Sequence, residues 1–372
     1  MKLHNNHRII ISGGGTGGHI FPAVSIAHAI RTQDPGAEIL FVGALGRMEM
    51  EKVPAAGYVI KGLPIAGLRR DLSLKSISAN LLLPFRLLES IAAARRILED
   101  FKPTVAVGVG GYASGPLLWA AGRKGIPYII QEQNSFAGKT NKLLASKAVH
   151  ICVAYPGMEK FFPESKIVLT GNPIRNDIRP STRESQQAAR THFGLDPGKK
   201  TILVIGGSLG AGTLNRCIEN FLPGAGNFPV QILWQCGKNG IRQAALVKQD
   251  YPDSAVYPME FIQRMDLAYN AADLVISRAG AGSISELSVA GKACIFVPSP
   301  NVAEDHQTHN AMALVKEDAG YLVSDSAAPV SLMDKAMELI FNDSRLRVLS
   351  ENILKLSRPD AAGQIAKMVL EL

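Results

Sequence analysis

The chain has 372 residues, of which 47% are hydrophobic and 19% charged, and its formal net charge at pH 7 is +8. This composition excludes a disordered chain, and the length exceeds what a single hydrophobic core usually supports, so two domains are expected. The positive charge predicts an anionic partner. An acidic membrane surface or a phosphorylated ligand is favoured, and no nucleic acid partner is expected, because only 6% of the residues are aromatic and no basic run is interleaved with aromatic residues.

The cysteines and the hydropathy pattern indicate the compartment. Four cysteines lie far apart and form no Cys-x-x-Cys pair, which predicts a reducing environment with neither a zinc site nor a disulfide framework: Cys152, Cys217, Cys236 and Cys294. The first residues lack the charged, apolar and cleavage regions of a secretory signal. No apolar stretch approaches the ~20 residues that a membrane-spanning helix needs, so we expect a soluble or peripheral cytoplasmic protein.

Apolar runs that suit strands alternate with helical patterns along the whole chain, which predicts an α/β protein with parallel sheets covered by helices. The predicted strands are residues 9–12, 39–43, 105–108, 128–131, 150–154, 201–205, 231–235, 274–277 and 294–298. Four glycine turns, numbered first to fourth here, follow strands at residues 13–18, 108–116, 206–212 and 278–283. The Gly-Asn-Pro turn at residues 171–173 predicts a hinge near Asn172 between two doubly wound domains, with ligands in a cleft at the carboxyl ends of their strands.

The first glycine turn has the spacing of a phosphate-binding loop. Gly13, Gly15 and Gly18 satisfy Gly-x-Gly-x-x-Gly between a predicted strand and a predicted helix. A P-loop is unlikely from the pattern, because His19-Ile20 stands where Lys-Ser/Thr would follow. A dinucleotide site is disfavoured as well, since the second strand ends in Gly-Ala without the carboxylate that would hold a ribose.

His19 is the residue of this turn with catalytic chemistry. At the start of a helix the dipole disfavours the protonated imidazole and keeps it available as a base near neutral pH. A histidine that merely caps the turn is an equal alternative from the loop alone.

Six motifs, read together and in order, resemble those of the MurG family of membrane-associated glycosyltransferases: Gly14-Gly15-Thr16-Gly17-Gly18-His19, Gly110-Gly111-Tyr112, Gln131-Glu132-Gln133-Asn134, Gly171-Asn172-Pro173, Gly206-Gly207-Ser208 and Asp305-His306-Gln307-Thr308. Essentially the whole chain fits. The resemblance implies a glycosyltransferase B fold, with two Rossmann-like, doubly wound parallel-sheet domains facing a cleft. It implies residues 1–172, with a C-terminal helix at about 351–372, as the acceptor-binding and membrane-docking domain, and residues 173–350 as the UDP-sugar-binding domain.

The reaction of that family sets the expected substrates. The resemblance implies inverting transfer of N-acetylglucosamine from UDP-N-acetylglucosamine to the 4-hydroxyl of the N-acetylmuramoyl unit of undecaprenyl-pyrophosphoryl-N-acetylmuramoyl-pentapeptide (lipid I). The product is lipid II, for peptidoglycan synthesis. No cofactor and no metal are expected. A peripheral location on the cytoplasmic face of the inner membrane and cell-wall synthesis proteins as partners are expected as well.

The resemblance also assigns site residues. His19 is the expected catalytic base. The expected substrate-binding positions are Thr16, Gly17, Gly18, Asn134, Arg175, Ser208, Ile262, Ala281, Gly282, Ser283, Ile284, Ser285, Glu286 and Gln307. Among these, Thr16 to Gly18 match the donor-contacting loop, and Gln307 corresponds to a contact with a sugar hydroxyl. His306 and His309 are interpreted as polar cleft residues and not as metal ligands, since no carboxylate pattern accompanies them beyond Asp305.

The nucleotide-contacting positions also have structural alternatives. Arg175 matches an arginine that contacts the nucleotide, and a surface arginine at a domain turn is the alternative. Ser208 can donate to a phosphate oxygen and also suits a helix N-cap. Ser283 and Glu286 have the Ser-x-x-Glu spacing of a capping box, but the resemblance assigns Glu286 to the ribose hydroxyls, and this second role is preferred. Ile262 corresponds to a backbone contact with uracil, and its side chain is expected in the core.

Two further positions complete the comparison with the family. The second glycine turn, with Tyr112 and Ser114, is expected at the acceptor pyrophosphate, with a tight strand-to-helix turn as the alternative. Gly282 stands where relatives carry a larger residue, which is expected to alter packing more than chemistry.

Residues 68–88 mix apolar and basic side chains, which is typical of a peripheral protein that binds anionic lipid. Pro84 interrupts this run, so two helices are expected there. Two alternatives to the transferase stay open: a UDP-N-acetylglucosamine 2-epimerase, which needs no lipid, and a non-catalytic module that binds nucleotide sugars. The apolar and basic run argues against the epimerase, and loss of turnover in a His19→Ala variant would exclude the module.

Overall fold

The computed structural model describes residues 7–65, 67, 81, 83–207 and 209–372. Two compact units divide the chain: the first runs to Ile174 and includes Pro359–Leu372, and the second is Arg175–Arg358. The division after Ile174 lies two residues from the predicted hinge at Asn172.

The first unit is built on a seven-stranded parallel sheet. Its strands are β1 (Arg8–Ser12), β2 (Glu38–Ala44), β3 (Val59–Leu63), β4 (Val105–Gly108), β5 (Tyr128–Glu132), β6 (His150–Val153) and β7 (Ile167–Leu169), in the order β3-β2-β1-β4-β5-β6-β7. Its helices before the hinge are α1 (Gly17–Gln33), α2 (Glu49–Ala55), α3 (Leu83–Phe101), α4 (Ser114–Arg123) and α5 (Lys139–Leu144). The side chains of β1 alternate between the two faces of the sheet, since Ile9 and Ile11 join one hydrophobic cluster and Ile10 joins another. Both faces are therefore buried, which explains the unbroken apolar run of this strand.

The second unit repeats this plan with six parallel strands. They are β8 (Lys200–Ile205), β9 (Val230–Gln235), β10 (Val256–Met259), β11 (Leu274–Ser277), β12 (Cys294–Phe296) and β13 (Tyr321–Leu322), in the order β10-β9-β8-β11-β12-β13. Its helices are α6 (Arg183–His192), α7 (Gly212–Phe221), α8 (Ile241–Asp250), α9 (Met265–Ala271), α10 (Ala281–Ala290), α11 (His306–Val315), α12 (Ala328–Ile340) and α13 (Asp343–Lys355). Trp234 lies at the centre of the core and donates its indole N–H to Asn215 Oδ1 at 3.2 Å.

The last helix, α14 (Ala361–Leu370), packs against α1 and belongs to the first unit. Its buried residues Ile365, Ala366 and Val369 join the same hydrophobic cluster as Ile9 and Ile11. The boundary expected near residue 351 falls inside α13, which lies in the second unit, so the return to the first unit begins later, at Pro359.

Candidate active site

Each of the four glycine turns follows one of the central strands at which the strand order of its sheet reverses. In the first unit β1 and β4 pair in the middle of the sheet. The strands that follow β1 are added on one side of this pair, and the strands that follow β4 are added on the other side. In the second unit β8 and β11 pair in the same way. Parallel sheets bind ligands at the carboxyl ends of such strands, because the loops that leave them separate and open a crevice. Each unit therefore has one candidate binding edge, formed by two of its glycine turns.

The first two glycine turns approach each other backbone to backbone. Gly111 has a φ angle of +86°, and a Cβ atom added there would overlap the carbonyl oxygen of Gly14. Only glycine combines this left-handed conformation with so close an approach. The two turns thus form one continuous surface at the edge of the first sheet.

His19 lies in the first turn of α1, and its ring is held by the loop before it. Nδ1 lies 3.1 Å from the Gly14 carbonyl oxygen and 3.2 Å from Thr16 Oγ1. A carbonyl oxygen only accepts, so Nδ1 carries the proton and Nε2 of the neutral ring carries the lone pair. Nε2 faces the second glycine turn, because a Cβ added at Gly110 would lie 2.9 Å from it. This tautomer leaves Nε2 able to act as a general base. The contact of Nδ1 with the Gly14 carbonyl oxygen also stabilises the turn, which is the structural alternative for this histidine.

The third motif forms a buried network behind this edge. Glu132 is buried, and its carboxylate accepts from the backbone N–H groups of Asn134 and Gly138 and from the side chains of Asn134 and Asn141. Burial raises the pKa of Glu132, and these hydrogen bonds act against the rise. Asn134 is thus oriented at the end of β5.

The hinge turn is tied to the same strand. Asn172 accepts from Gln131 Nε2 at 2.9 Å and donates to the Gln133 carbonyl oxygen at 3.0 Å. Gln133 in turn donates to the Val109 carbonyl oxygen at 2.8 Å. The Gly-Asn-Pro motif is therefore a structural anchor of the first unit.

Tyr112 and Ser114 of the second glycine turn differ in exposure. The Tyr112 ring is exposed and packs on Gly15. Ser114 is fully buried, and its hydroxyl lies 2.8 Å from the carbonyl oxygens of both Ser12 and Gly110. The Ser114 hydroxyl proton is therefore used inside the first unit, and only the backbone of this residue is left to face an acceptor pyrophosphate.

In the second unit a largely buried carboxylate, that of Glu286, joins two other side chains. Arg175 donates to Glu286 Oε1 at 3.1 Å, and the Tyr269 hydroxyl donates to Glu286 Oε2 at 2.8 Å. Burial raises the pKa of Tyr269 well above its usual value, and Glu286 adds to the rise, so the phenol keeps its proton as a donor. Arg175 is therefore partly exposed but held in place by an ion pair with Glu286.

The remaining positions of the Ala281 to Glu286 segment form the start of α10. Gly280 is the N-cap and no side chain caps the helix, so the capping box of Ser283 and Glu286 is wrong: Ser283 is already the third helical residue. Gly282 has open space where a Cβ would stand. Ile284 is buried, and the Ser285 hydroxyl donates to the Ala281 carbonyl oxygen. Any ligand contact of Ile284 therefore uses its backbone.

Three further predicted positions lie elsewhere in the second unit. The Ile262 side chain is buried in the core, as expected, beside the exposed Phe261. Gln307 accepts the Ser299 backbone N–H at 2.9 Å. Ser208 lies outside the described residues, and Ala211 holds the N-cap position of α7. Within the described ranges no three His, Cys, Asp or Glu residues are grouped to hold a metal ion.

Two residues of these sites were missed in the sequence. Glu49 is fully buried and accepts the backbone N–H of Gly15, so a carboxylate does act at the first glycine turn, five residues beyond the strand end. Tyr269 lies 17 residues before Glu286, and only the fold brings the two together. A lone acid in a short helix and a lone tyrosine carry no sequence signal for these roles.

Comparison with known proteins agrees with this architecture. The model of the glycosyltransferase family 28 N-terminal domain matches residues 9–153, and that of the C-terminal domain matches residues 201–365. A relative from Phocaeicola vulgatus, named UDP-N-acetylglucosamine–N-acetylmuramyl-(pentapeptide) pyrophosphoryl-undecaprenol N-acetylglucosamine transferase, is 57% identical, over 100% of this chain and 97% of that protein. A protein of the same name from Parabacteroides distasonis is 53% identical over 98% of each chain.

Solved structures give the same picture. MurG of Acinetobacter baumannii matches with a TM-score of 0.78 and 28% identity, over 99% of this chain and 100% of that one. UDP-GlcNAc 2-epimerase from Neisseria meningitidis, bound to UDP-GlcNAc, matches with a TM-score of 0.65 and 14% identity, over 98% of this chain and 100% of that one, which shows a shared fold alone. With two parallel-sheet units of the glycosyltransferase B type, this chain belongs to glycosyltransferase family 28, within its MurG group.

Proposed function

We propose that this protein transfers N-acetylglucosamine from UDP-N-acetylglucosamine to the 4-hydroxyl of the N-acetylmuramoyl unit of lipid I, with inversion, to give lipid II. The names of full-length relatives at 57% and 53% identity support this activity. The observation that carries the mechanism is the His19 ring, whose Nδ1–H is held by the Gly14 carbonyl oxygen so that Nε2 can accept a proton.

In the proposed reaction His19 acts as the general base. Its Nε2 takes the proton of the 4-hydroxyl while that oxygen forms a bond to C1 of the donor sugar. The bond between C1 and the pyrophosphate oxygen breaks at the same time, and UDP leaves with the electron pair. Attack opposite to the leaving group inverts the configuration at C1. Asn134, oriented by Glu132, is proposed to bind sugar hydroxyls near this base.

The second unit is proposed to hold the donor. The N-terminal backbone N–H groups of α10 suit the pyrophosphate, whose charge grows as UDP leaves. The Glu286 carboxylate suits the ribose hydroxyls, and Arg175 beside it suits the nucleotide. Ser208, the Ile262 backbone and Gln307 are proposed to contact phosphate, uracil and the sugar.

The start of α3 is proposed to dock on the anionic cytoplasmic face of the inner membrane. Phe85 is 71% exposed and Leu88 is 65% exposed, and Arg86 lies between them. The buried side of the same helix begins only at Ser90 and continues through Ala94, Ile97 and Leu98. Leu81 is also exposed, while residues 68–80 lie outside the described part of the chain. An apolar surface with a basic residue suits the interface of a membrane that contains acidic lipids.

This docking would be peripheral. No described helix is both long enough and apolar enough to cross a bilayer. Cell-wall synthesis proteins at the same membrane are proposed partners.

One assay tests the activity. Purified protein is given UDP-N-acetylglucosamine labelled in the sugar and a lipid I analogue, and transfer of label to the lipid is measured. We expect transfer from this donor and little from UDP-glucose or UDP-galactose. Appearance of the 2-epimer from donor alone would favour the epimerase instead, and donor binding without transfer or epimer would favour the non-catalytic module.

A further inference from the structure

We propose that Glu49 is a positioning residue that holds His19 in its Nδ1-protonated form through one peptide group of the first glycine turn. The expected effect of Glu49 on turnover rests on the proposed role of His19 as base. The expected effect on the tautomer of the His19 ring does not depend on that role.

Glu49 is the first residue of α2, and its side chain is fully buried. One carboxylate oxygen, Oε2, accepts the backbone N–H of Gly15 at 3.0 Å, and the other, Oε1, accepts the backbone N–H of Ala44 at 3.0 Å. The carboxylate thus joins the end of β2 to the first glycine turn. Two donors facing one group require an acceptor at both oxygens, which the ionised carboxylate provides.

The surrounding glycines make room for this side chain. A Cβ atom added at Gly14 would overlap the Glu49 carboxylate, and one added at Gly43 would lie 2.5 Å from its Cγ. Gly14 and Gly43 come from the two segments that the carboxylate joins. The motif residue Gly14 is therefore required for access of the Glu49 carboxylate to the turn.

Glu49 and His19 bind opposite ends of the same peptide group. The Gly15 N–H that Glu49 accepts and the Gly14 carbonyl that His19 Nδ1 contacts at 3.1 Å belong to one planar unit. A negative charge at the N–H end polarises the unit and makes its oxygen a stronger acceptor. That oxygen then favours the proton on Nδ1 and leaves Nε2 as the acceptor. Glu49 therefore orients and polarises the histidine without moving a proton.

The full-length Glu49→Gln variant tests this proposal. The glutamine amide places an N–H₂ group against one of the two backbone donors, so the peptide loses its charged partner with little change in volume. The readout is the long-range proton–nitrogen NMR spectrum of the ¹⁵N-labelled imidazoles above their pKa, with the His19 signals assigned from a His19→Asn sample. In the unaltered protein we expect a protonated Nδ1 and an unprotonated Nε2. In Glu49→Gln we expect the nitrogen shifts to move toward the averaged values of a tautomer mixture.

The kinetic readout is kcat against KM. Because general-base catalysis depends on the orientation and tautomer of the base, we expect kcat to fall by at least about tenfold, with KM for UDP-N-acetylglucosamine within about twofold. Val53→Ala is the matched control: Val53 is buried one turn further along α2, so this change weakens packing and leaves the carboxylate in place. It should retain the nitrogen shifts and kcat.

Unchanged His19 nitrogen shifts in folded Glu49→Gln would overturn the proposal. If that variant does not fold, Glu49→Asp is read in the same way, since its carboxylate is one methylene short of joining both donors; unchanged shifts again overturn the proposal. A tautomer change together with full activity of His19→Ala would leave the positioning role standing and remove the base role, so the two claims can be separated.

Discussion

Arg175 and Glu286 form an ion pair with 3.1 Å between Nε and Oε1, and the second oxygen of Glu286 accepts the Tyr269 hydroxyl. The carboxylate is largely buried, whereas the arginine is partly exposed. A buried carboxylate needs such partners, because an unpaired charge in the interior is costly. The pair thus holds a charged acceptor ready at the proposed ribose position.

Replacing Arg175 by Ala should raise KM for UDP-N-acetylglucosamine by about 10- to 100-fold, because hydrogen bonds to charged groups contribute about 1.5–3 kcal/mol. We expect kcat to change far less, since the base lies in the first unit. Steady-state kinetics of labelled transfer measures both. Lys335→Ala is the control: it also removes one positive charge, from an exposed pair with Glu338 on α12. An unchanged KM in Arg175→Ala would contradict the proposed nucleotide contact.

Gly111→Ala should disable the first-unit site. The substitution places a Cβ over the Gly14 carbonyl oxygen and strains a residue whose φ is +86°. Displacing that oxygen removes the acceptor that orients His19 Nδ1, so general-base catalysis is impaired and kcat should fall by at least about tenfold. Gly125→Ala carries the strain alone, because its φ is +74° and a Cβ there meets nothing within 4 Å. Equal kcat in the two variants would show that the close approach is not what matters.

Lys292 should make stability depend on pH. It is buried and donates to the Ala272 carbonyl oxygen at 2.9 Å, and burial lowers its pKa from 10.5 to about 8, with Asp273 opposing the shift. Between these values the unfolded chain keeps a proton that the folded chain releases, so the free energy of unfolding rises with pH across this window, by up to about 3 kcal/mol. Below about pH 8 the full cost of burying the charge is present.

Urea unfolding at several pH values from 7.5 to 10.5 measures this effect. The Lys292→Met variant lacks the titrating amine, so its free energy of unfolding should not show the part of the rise with pH that Lys292 causes. Parallel stability curves for the two proteins would contradict the assignment.

The start of α3 should bind anionic vesicles. We expect the unaltered protein to sediment with vesicles of acidic phospholipid at low salt, and a Phe85→Ser/Leu88→Ser variant to sediment markedly less. The physical reason is the loss of two exposed apolar side chains from the proposed interface. Leu246→Ser/Val330→Ser removes two exposed apolar residues from the second unit and should sediment normally. Failure of the unaltered protein to sediment would remove the membrane proposal.

The central strands were predictable from sequence, and the edge strands were not. All nine predicted strands are present, with ends that differ by at most two residues. The four that were missed, β3, β7, β10 and β13, are the edges of the two sheets. An edge strand is paired on one side only, so its side chains are less buried: Val59 of β3 is 68% exposed, and β13 has two residues. The apolar run that reveals a central strand is therefore weak at an edge.

For the candidate site, too, the features set by local sequence could be predicted, and the contacts made by the fold could not. The positions of the glycine turns after central strands and of His19 at the start of α1 could be predicted, because they depend on short local spacing. The roles of Glu49 and Tyr269 could not, since each depends on a partner brought near by the fold. The Ser-x-x-Glu spacing suggested a helix start that the structure does not have, and the burial of the Ser114 hydroxyl was not visible in the sequence, because a short motif does not tell where a helix begins or which way a hydroxyl points.

The most direct test of the account is the kinetics of His19→Ala and His19→Asn together with the dissociation constant of UDP-N-acetylglucosamine for each protein. We predict that kcat for transfer to the lipid I analogue falls by about 10²- to 10⁴-fold in both variants, while donor binding stays within about twofold, because only the base is lost. Normal turnover in either variant would contradict the account.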